Sequence, residues 1–273
     1  MFDTYFEVFL ADTLKSKRIH YSIRYEVYCE EMGFENKDDF PLRQEFDQYD
    51  RHASHFIVRH KQSGLWIGAM RLIFKNGHPL PIELLCELND PIYESNTGLS
   101  VELSRLCLIK EARKIFNDIL PPYGITAQNN VSNESNKHQL AKNNRDIIWG
   151  LIYAALKYSY HHGISNWYFL TTPGLEKVLR KGGLDMTVIG DPCEHKGMRY
   201  PFKMNVLATY QSEIWQDHYK NGYRAFSECN INELDCKLSS KNKTCTINNY
   251  KLLELVPMPE QINLTIPFKR LFI

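Results

Sequence analysis

From Thr13 to Met32 the apolar side chains Leu14, Ile19, Ile23, Val27 and Met32 return at roughly helical spacing, and Gly33 follows as a stop. That pattern predicts one amphipathic helix. Pro41 interrupts the next stretch. Phe56-Ile57-Val58 and the run from Leu65 to Phe74 then read as two strands joined by Lys61-Gln62-Ser63-Gly64, a hairpin. Leu99 to Ile109 is a third strand, reached through a long connection marked by proline and glycine. Ile147 to His161 has a strong helical pattern closed by Gly163. Trp167 to Leu170 predicts a buried strand, Leu175 to Arg180 a short helix, and Thr187 to Ile189 and Lys203 to Leu207 two late strands. This order of helices and strands predicts an α/β (α+β) fold, a mixed sheet layered with helices.

Two segments break the pattern. Gln128 to Asn144 is rich in asparagine, serine and lysine and nearly free of apolar side chains, so it is expected to be an exposed loop or mobile insertion. After Thr209 the character changes again: Tyr210 to Phe226 reads as an aromatic-rich helix, Lys237 to Asn249 as a polar linker, and Tyr250 to Ile273 as apolar enough to dock back. The expected organisation is one domain over residues 1–208 and a C-terminal extension over residues 209–273.

Charge narrows the partners. Lysine plus arginine (33) nearly balances aspartate plus glutamate (32), so no global field draws the chain to nucleic acid or to an anionic membrane. No apolar run is long enough to span a bilayer, and Met1-Phe2-Asp3-Thr4 lacks the basic stretch of a secretory signal, so the expected location is the cytosol. Seven cysteines (29, 86, 107, 193, 229, 236 and 245) are odd in number and scattered, which suits reduced thiols better than a disulfide framework. Cys193-Glu194-His195 has no second pair at zinc-site spacing and is read as a loop, so no metal site is expected.

The chemistry begins at Glu45-Phe46-Asp47-Gln48-Tyr49-Asp50, three carboxylates just ahead of a strand. By itself such a cluster is ordinarily a solvated face. Arg71 changes the reading, because strand alternation sets it on one face with Ile67, Ala69 and Ile73, where a charge needs a partner. Arg24 lies one helical turn before Tyr28. Glu102 and Arg105 share the apolar strand Val101 to Leu108; a regular strand turns them to opposite faces, whereas a bulge between them turns both toward one site. A buried ion pair that merely fixes strand packing is the competing reading. So much polarity on strands favours a functional cleft.

Arg24 with Tyr28, then Glu45-x-Asp47-x-x-Asp50, Gly68-Ala69-Met70-Arg71-Leu72 and Glu102-Leu103-Ser104-Arg105 resemble, in this order, the signature set of the acyl-homoserine-lactone (autoinducer) synthases. The resemblance runs from about Leu14 to Leu207. The stretch Arg24 to Phe34 is more similar to the PEP-CTERM/exosortase system-associated acyltransferases, and the whole also resembles the N-acyl amino acid synthases. The resemblance implies a GNAT-type acyl-CoA N-acyltransferase fold whose central strands splay between Leu99 to Ile109 and Trp167 to Leu170. It implies an N-acyltransferase that moves a long-chain acyl group from an acyl carrier protein thioester to a small amine such as an amino acid. The amine must lose a proton to attack, and Glu102 is the expected base. Backbone N–H groups by the bulge around Ser104 and Arg105 are expected to face the oxyanion. Arg24, Tyr28, Glu45, Asp47, Asp50, Arg71 and Arg105 are expected to shape the acceptor pocket.

Departures from the pattern bear on the substrates. Members of this fold that use acetyl-CoA carry a glycine-rich loop whose amides grip the pyrophosphate. Here Lys110-Glu111-Ala112-Arg113-Lys114 stands in its place, so the expected donor is acyl-phosphopantetheine on an acyl carrier protein, with no bound cofactor. Carrier proteins are acidic, and Lys110, Arg113 and Lys114, followed by Lys137, Lys142 and Arg145, are the expected dock. Tyr28 replaces the usual phenylalanine and the tryptophan that follows it in the lactone synthases is absent. Two alternatives stay open: a homoserine-lactone synthase using S-adenosylmethionine, and a non-catalytic acyl-binding or regulatory module.

Overall fold

The computed structural model describes residues 2–92, 99–110, 112, 133–215 and 219–229, with backbone alone over 133–145. These belong to one unit, Met1–Ser239; a second, Ser240–Ile273, lies outside the described residues. Among the described residues nine strands, β1 (Phe6–Leu10), β2 (Ala53–His60), β3 (Trp66–Phe74), β4 (Leu99–Leu108), β5 (Ile164–Thr171), β6 (Thr187–Val188), β7 (Cys193–Glu194), β8 (Met198–Asn205) and β9 (Tyr223–Ala225), form one mixed sheet. Its order is β6-β8-β5-β4-β3-β2-β1-β9, with β7 paired to β8. Neighbours from β1 to β4 are antiparallel, β4 and β5 run parallel, and β5 is antiparallel to β8.

The helices among the described residues are α1 (Phe2–Tyr5), α2 (Leu14–Arg24), α3 (Pro81–Leu85), α4 (Asn133–His161), α5 (Pro173–Lys181) and α6 (Val206–Tyr210). The ring of His55 on β2 lies 4.7 Å from that of His20 on α2. Its neighbours Ser54 and Phe56 instead meet Tyr158 of α4. Alternation along one strand thus separates the two helices onto opposite faces of the sheet. The core between them holds Phe9, Phe56, Ile57, Met70, Leu72 and Trp167, all fully enclosed.

A reciprocal cap between Thr13 and Ser16 starts α2. The helix expected to run to Met32 changes gauge at Tyr25: a wide π-helical turn spans Tyr25–Glu31, and Met32 N–H donates to the Val27 carbonyl. Five other expectations are corrected. Residues 133–144, expected as a loop, form the first turns of α4, because helix propagates cheaply outward from the packed half that contains Ile147 and Leu151; residues 128–132 lie outside the described ones. Val206 and Leu207 are helical, since the Asn205 side chain accepts the Ala208 N–H and ends β8. Tyr210 to Phe226 is not one helix: a short 3₁₀ turn spans Glu213–Trp215, and β9 pairs in parallel with β1, itself a strand the sequence pattern did not single out.

The fourth correction concerns the thiols. Cys86 and Cys193, expected to be reduced, are joined in a disulfide with their Cα atoms 5.4 Å apart. No spacing along the chain announces it, because the two are 107 residues apart and meet only through tertiary contacts, the Leu88–Gly190 bridge and the Asp191 N–H on the Glu87 carbonyl. Cys193-Glu194, expected as a loop, is β7. Cys29 and Cys107 are buried thiols, and Cys229 is buried as well.

Candidate active site

β4 is irregular on both borders, and the irregularities coincide. Toward β5 the ladder runs from Leu99 with Ile164 to Glu102 with Tyr168 and stops. Beyond that point β5 stays paired with β8 and β4 with β3, so the two parallel strands part after Glu102. Toward β3 the register jumps from Arg71 opposite Ser104 to Ala69 opposite Cys107, so β4 carries one extra residue. Arg105 absorbs the bulge with φ of 53°, a conformation that a non-glycine residue holds only under constraint from its surroundings.

The constraint is a lattice of charges. Arg24 has none of its surface exposed; its Nε donates to Glu45 at 2.5 Å and its Nη1 to Asp50 at 2.6 Å. Arg71 spans Asp47 with both terminal nitrogens at 2.7 Å, reaches Asp50 at 2.7 Å, and donates from Nε to Ser104 Oγ at 2.9 Å. Arg105 Nη2 lies 3.2 Å from both Glu45 and Asp47 and 3.6 Å from Glu35, with its guanidinium 5.3 Å over the Tyr28 ring. Tyr28 OH donates to the Leu106 carbonyl at the bulge. Folding the acids inward is local chemistry: Asp47 caps the turn Gln48–His52, and Asp50 Oδ2 accepts the Asp47 N–H at 2.7 Å.

Burial opposes the charges of Arg24, Glu45, Asp47, Asp50 and Arg105, and the opposite charges prevail. Arg24 and Arg71 hold Asp50 well below the ordinary carboxylate range against its desolvation, and His55 adds a hydrogen bond at 3.0 Å. Arg24 is held above its ordinary value by Asp50 and Glu45, again against desolvation. Burial keeps His55 and His20 neutral at physiological pH. His55, together with Glu35, joins the site without having been singled out in the sequence. An alternating polar residue in an apolar strand was the available signal for His55; none existed for Glu35.

Glu102 differs from the rest of the lattice. Only 3 % of it is exposed, and Ile82 on α3 donates its backbone N–H to Oε2 at 2.8 Å. Its register neighbours Ile73 and Tyr168, with Ile82, Leu80 and Ile92, form an apolar cluster. Burial pushes its carboxyl up to about 8, although the Ile82 N–H, Arg71 and Arg105 pull the other way. A group poised there can take a proton from an ammonium near neutral pH.

Among the basic residues that follow β4, Lys110 is described and makes no ion pair with this lattice. Lys110 is exposed, and its backbone N–H donates to Glu31 Oε1 at 2.5 Å. Arg113 and Lys114, and the side chains of Lys137, Lys142 and Arg145, lie outside the described residues. Among the described residues, no group of three or more His, Cys, Asp and Glu side chains is placed to hold a metal ion, and no helix is long and apolar enough to cross a membrane.

Residues 23–117 match the family model of the acetyltransferase (GNAT) domain. No curated protein sequence is a significant match. Among solved structures, the acyl-homoserine-lactone synthase LasI is similar over 81 % of this chain and 97 % of its own, at 17 % identity and a TM-score of 0.52. BjaI, a CoA-dependent acyl-homoserine-lactone synthase, aligns over 86 % of this chain and 98 % of its own at 12 % identity with a TM-score of 0.57. MesI, also CoA-dependent, gives 81 %, 98 %, 15 % and 0.51 for the same quantities. At these identities the likeness is one of fold. Over residues 23–117 the chain is similar to the GNAT acetyltransferase domain, and its fold is that of the acyl-homoserine-lactone synthases.

Proposed function

We propose that this protein is an acyltransferase that moves a long-chain acyl group from the phosphopantetheine thioester of an acyl carrier protein onto a small amine such as an amino acid. One observation carries the reading: β4 and β5 part at the residue whose carboxyl is poised near neutrality, Glu102. The thioester arm enters the parting, and its carbonyl lies by the bulge at Ser104 and Arg105. Glu102, as carboxylate, takes a proton from the amine; the nitrogen attacks, the C–S bond breaks, an amide forms, and the proton passes to the departing thiolate. Arg24, Glu45, Asp47, Asp50 and Arg71 hold the acceptor side rigid, and Tyr28 supports the bulge. We assign this chemistry to residues 1–208 and its setting to the cytosol, with residues 209–273 as an extension.

A carrier protein is favoured over CoA because Glu31 already occupies the Lys110 N–H. A carboxylate at that point opposes a pyrophosphate electrostatically. Reversing the charges of Lys110, Arg113 and Lys114 is expected to weaken transfer from acyl carrier protein while sparing a free acyl-pantetheine thioester; unchanged kinetics with both donors removes this dock.

The deciding experiment incubates the protein with acylated carrier protein and a pool of amines and searches by mass spectrometry for a new N-acyl product. Release of methylthioadenosine from S-adenosylmethionine identifies a homoserine-lactone synthase instead. No new amide and no methylthioadenosine leaves a non-catalytic acyl-binding or regulatory module.

A further inference from the structure

The Cys86–Cys193 disulfide joins two segments that both end at the candidate site. Cys86 caps the C-terminal end of α3, one turn from Ile82, whose N–H is bonded to Glu102. Cys193 opens the β7–β8 hairpin. At the hairpin's turn Lys196 pairs with Glu35, and Glu35 in turn reaches Arg105 at 3.6 Å. The bond therefore couples the donor that steadies the proposed base to the outer end of the charged lattice.

We propose that Cys86 and Cys193 form a reversible thiol–disulfide site through which a dithiol reductant regulates acyl transfer. Both cysteines are partly exposed, so a dithiol reductant can reach the bond between them. In a reducing compartment, a disulfide of this kind is ordinarily transient or redox-sensing rather than structural. The segments do not rely on sulfur alone to stay together. Asn89 N–H donates to the Ile189 carbonyl at 2.8 Å and Asp191 N–H to the Glu87 carbonyl at 3.2 Å. These bonds keep the thiols within reach, so the opened pair can close again.

The exchange is a two-electron step. A thiolate of the dithiol attacks one sulfur, the Cys86–Cys193 bond breaks, and the mixed disulfide is resolved by the second thiol. The dithiol leaves as its own disulfide, and its two protons end on Cys86 and Cys193. Once the bond is open, α3 is free to shift its N–H from Glu102. Glu102 also faces Arg71, Arg105, Asp47 and Tyr49; with their charges unchanged, the lost donor leaves the carboxyl harder to ionise.

The activity arm of the test rests on the acyltransferase reading; the chemical arm does not. Peptide mapping of protein purified without reductant and exposed to oxidised glutathione is expected to yield a linked Cys86–Cys193 pair that dithiothreitol separates. Hydrogen exchange at the Ile82 amide is expected to speed up on reduction by about tenfold, as a local opening does. Turnover is expected to fall about tenfold with reduction, the scale of a small misplacement of a catalytic group, and Cys86→Ser/Cys193→Ser is expected to match the reduced enzyme and ignore the reductant. Separately alkylated Cys86 and Cys193 peptides under oxidising conditions, or an Ile82 amide indifferent to reduction, overturn the proposal. A linked pair and a responsive amide in a protein with no transferase activity refute the acyltransferase reading alone.

Discussion

Glu102 on β4 accepts the backbone N–H of Ile82 on α3 at 2.8 Å, and this is the hydrogen bond that orients an otherwise desolvated carboxyl at the point where two strands part. Replacing Glu102 by glutamine keeps an acceptor for that N–H and removes the base. The variant is expected to fold normally and to lose about 10²–10⁴-fold in kcat, the range typical of general-base removal. Circular dichroism and steady-state kinetics check both halves; wild-type turnover removes Glu102 from the mechanism.

The pH dependence follows from the same carboxyl, raised from 4.5 to about 8. Below 4.5 folded and unfolded chains both hold the proton. Between 4.5 and about 8 the unfolded chain ionises while the folded one does not, so this group's contribution to stability falls as pH rises and levels off above the window. Relative to wild type, Glu102→Gln is therefore expected to gain stability over that range in urea unfolding. kcat/KM of the wild type is expected to rise with pH through about 8, where the carboxylate appears, and to level off above it. A stability difference that stays flat with pH contradicts the assignment.

Arg24 answers two buried carboxylates, Glu45 and Asp50. Arg24→Met fills similar space but leaves both charges short of a partner, and is expected to cost about 3–5 kcal/mol, the range for breaking a buried ion pair from one side. Arg71→Lys keeps a charge but cannot bond Asp47, Asp50 and Ser104 together, and is expected to lower activity more than stability. Urea unfolding of each variant beside its kinetics separates the two outcomes.

Gly68 on β3 sits where the chain closes on the bulge: a Cβ there stands 2.4 Å from Leu108 Cδ2 and 2.9 Å from the Cys107 carbonyl oxygen. Gly68→Ala is expected to push β3 and β4 apart at a cost of about 1–3 kcal/mol, the usual range for overpacking, and to impair transfer through Ser104 and Arg105. Retained stability with retained activity shows that the bulge adjusts freely.

Period and turn chemistry made α2, the β2–β3 hairpin, β4, the second half of α4 and β5 legible, since each carries its own hydrophobic pattern. Arg71 was legible as a functional candidate because a charge among Ile67, Ala69 and Ile73 has no cheap solvation there. The first turns of α4, by contrast, have no apolar face, and β9 consists of three residues whose role is set by the edge they meet.

The amino-acid order by itself determined α2, the β2–β3 hairpin, β4, the second half of α4 and β5, and which charged residues they carry inward, because those depend on neighbours a few positions away. Tertiary structure alone decided that β4 bulges at Arg105, that Ile82 reaches Glu102, and that Cys86 meets Cys193. Each of these joins segments whose distance along the chain has no bearing on their distance in space, so the folded sheet must exist before the contact has meaning.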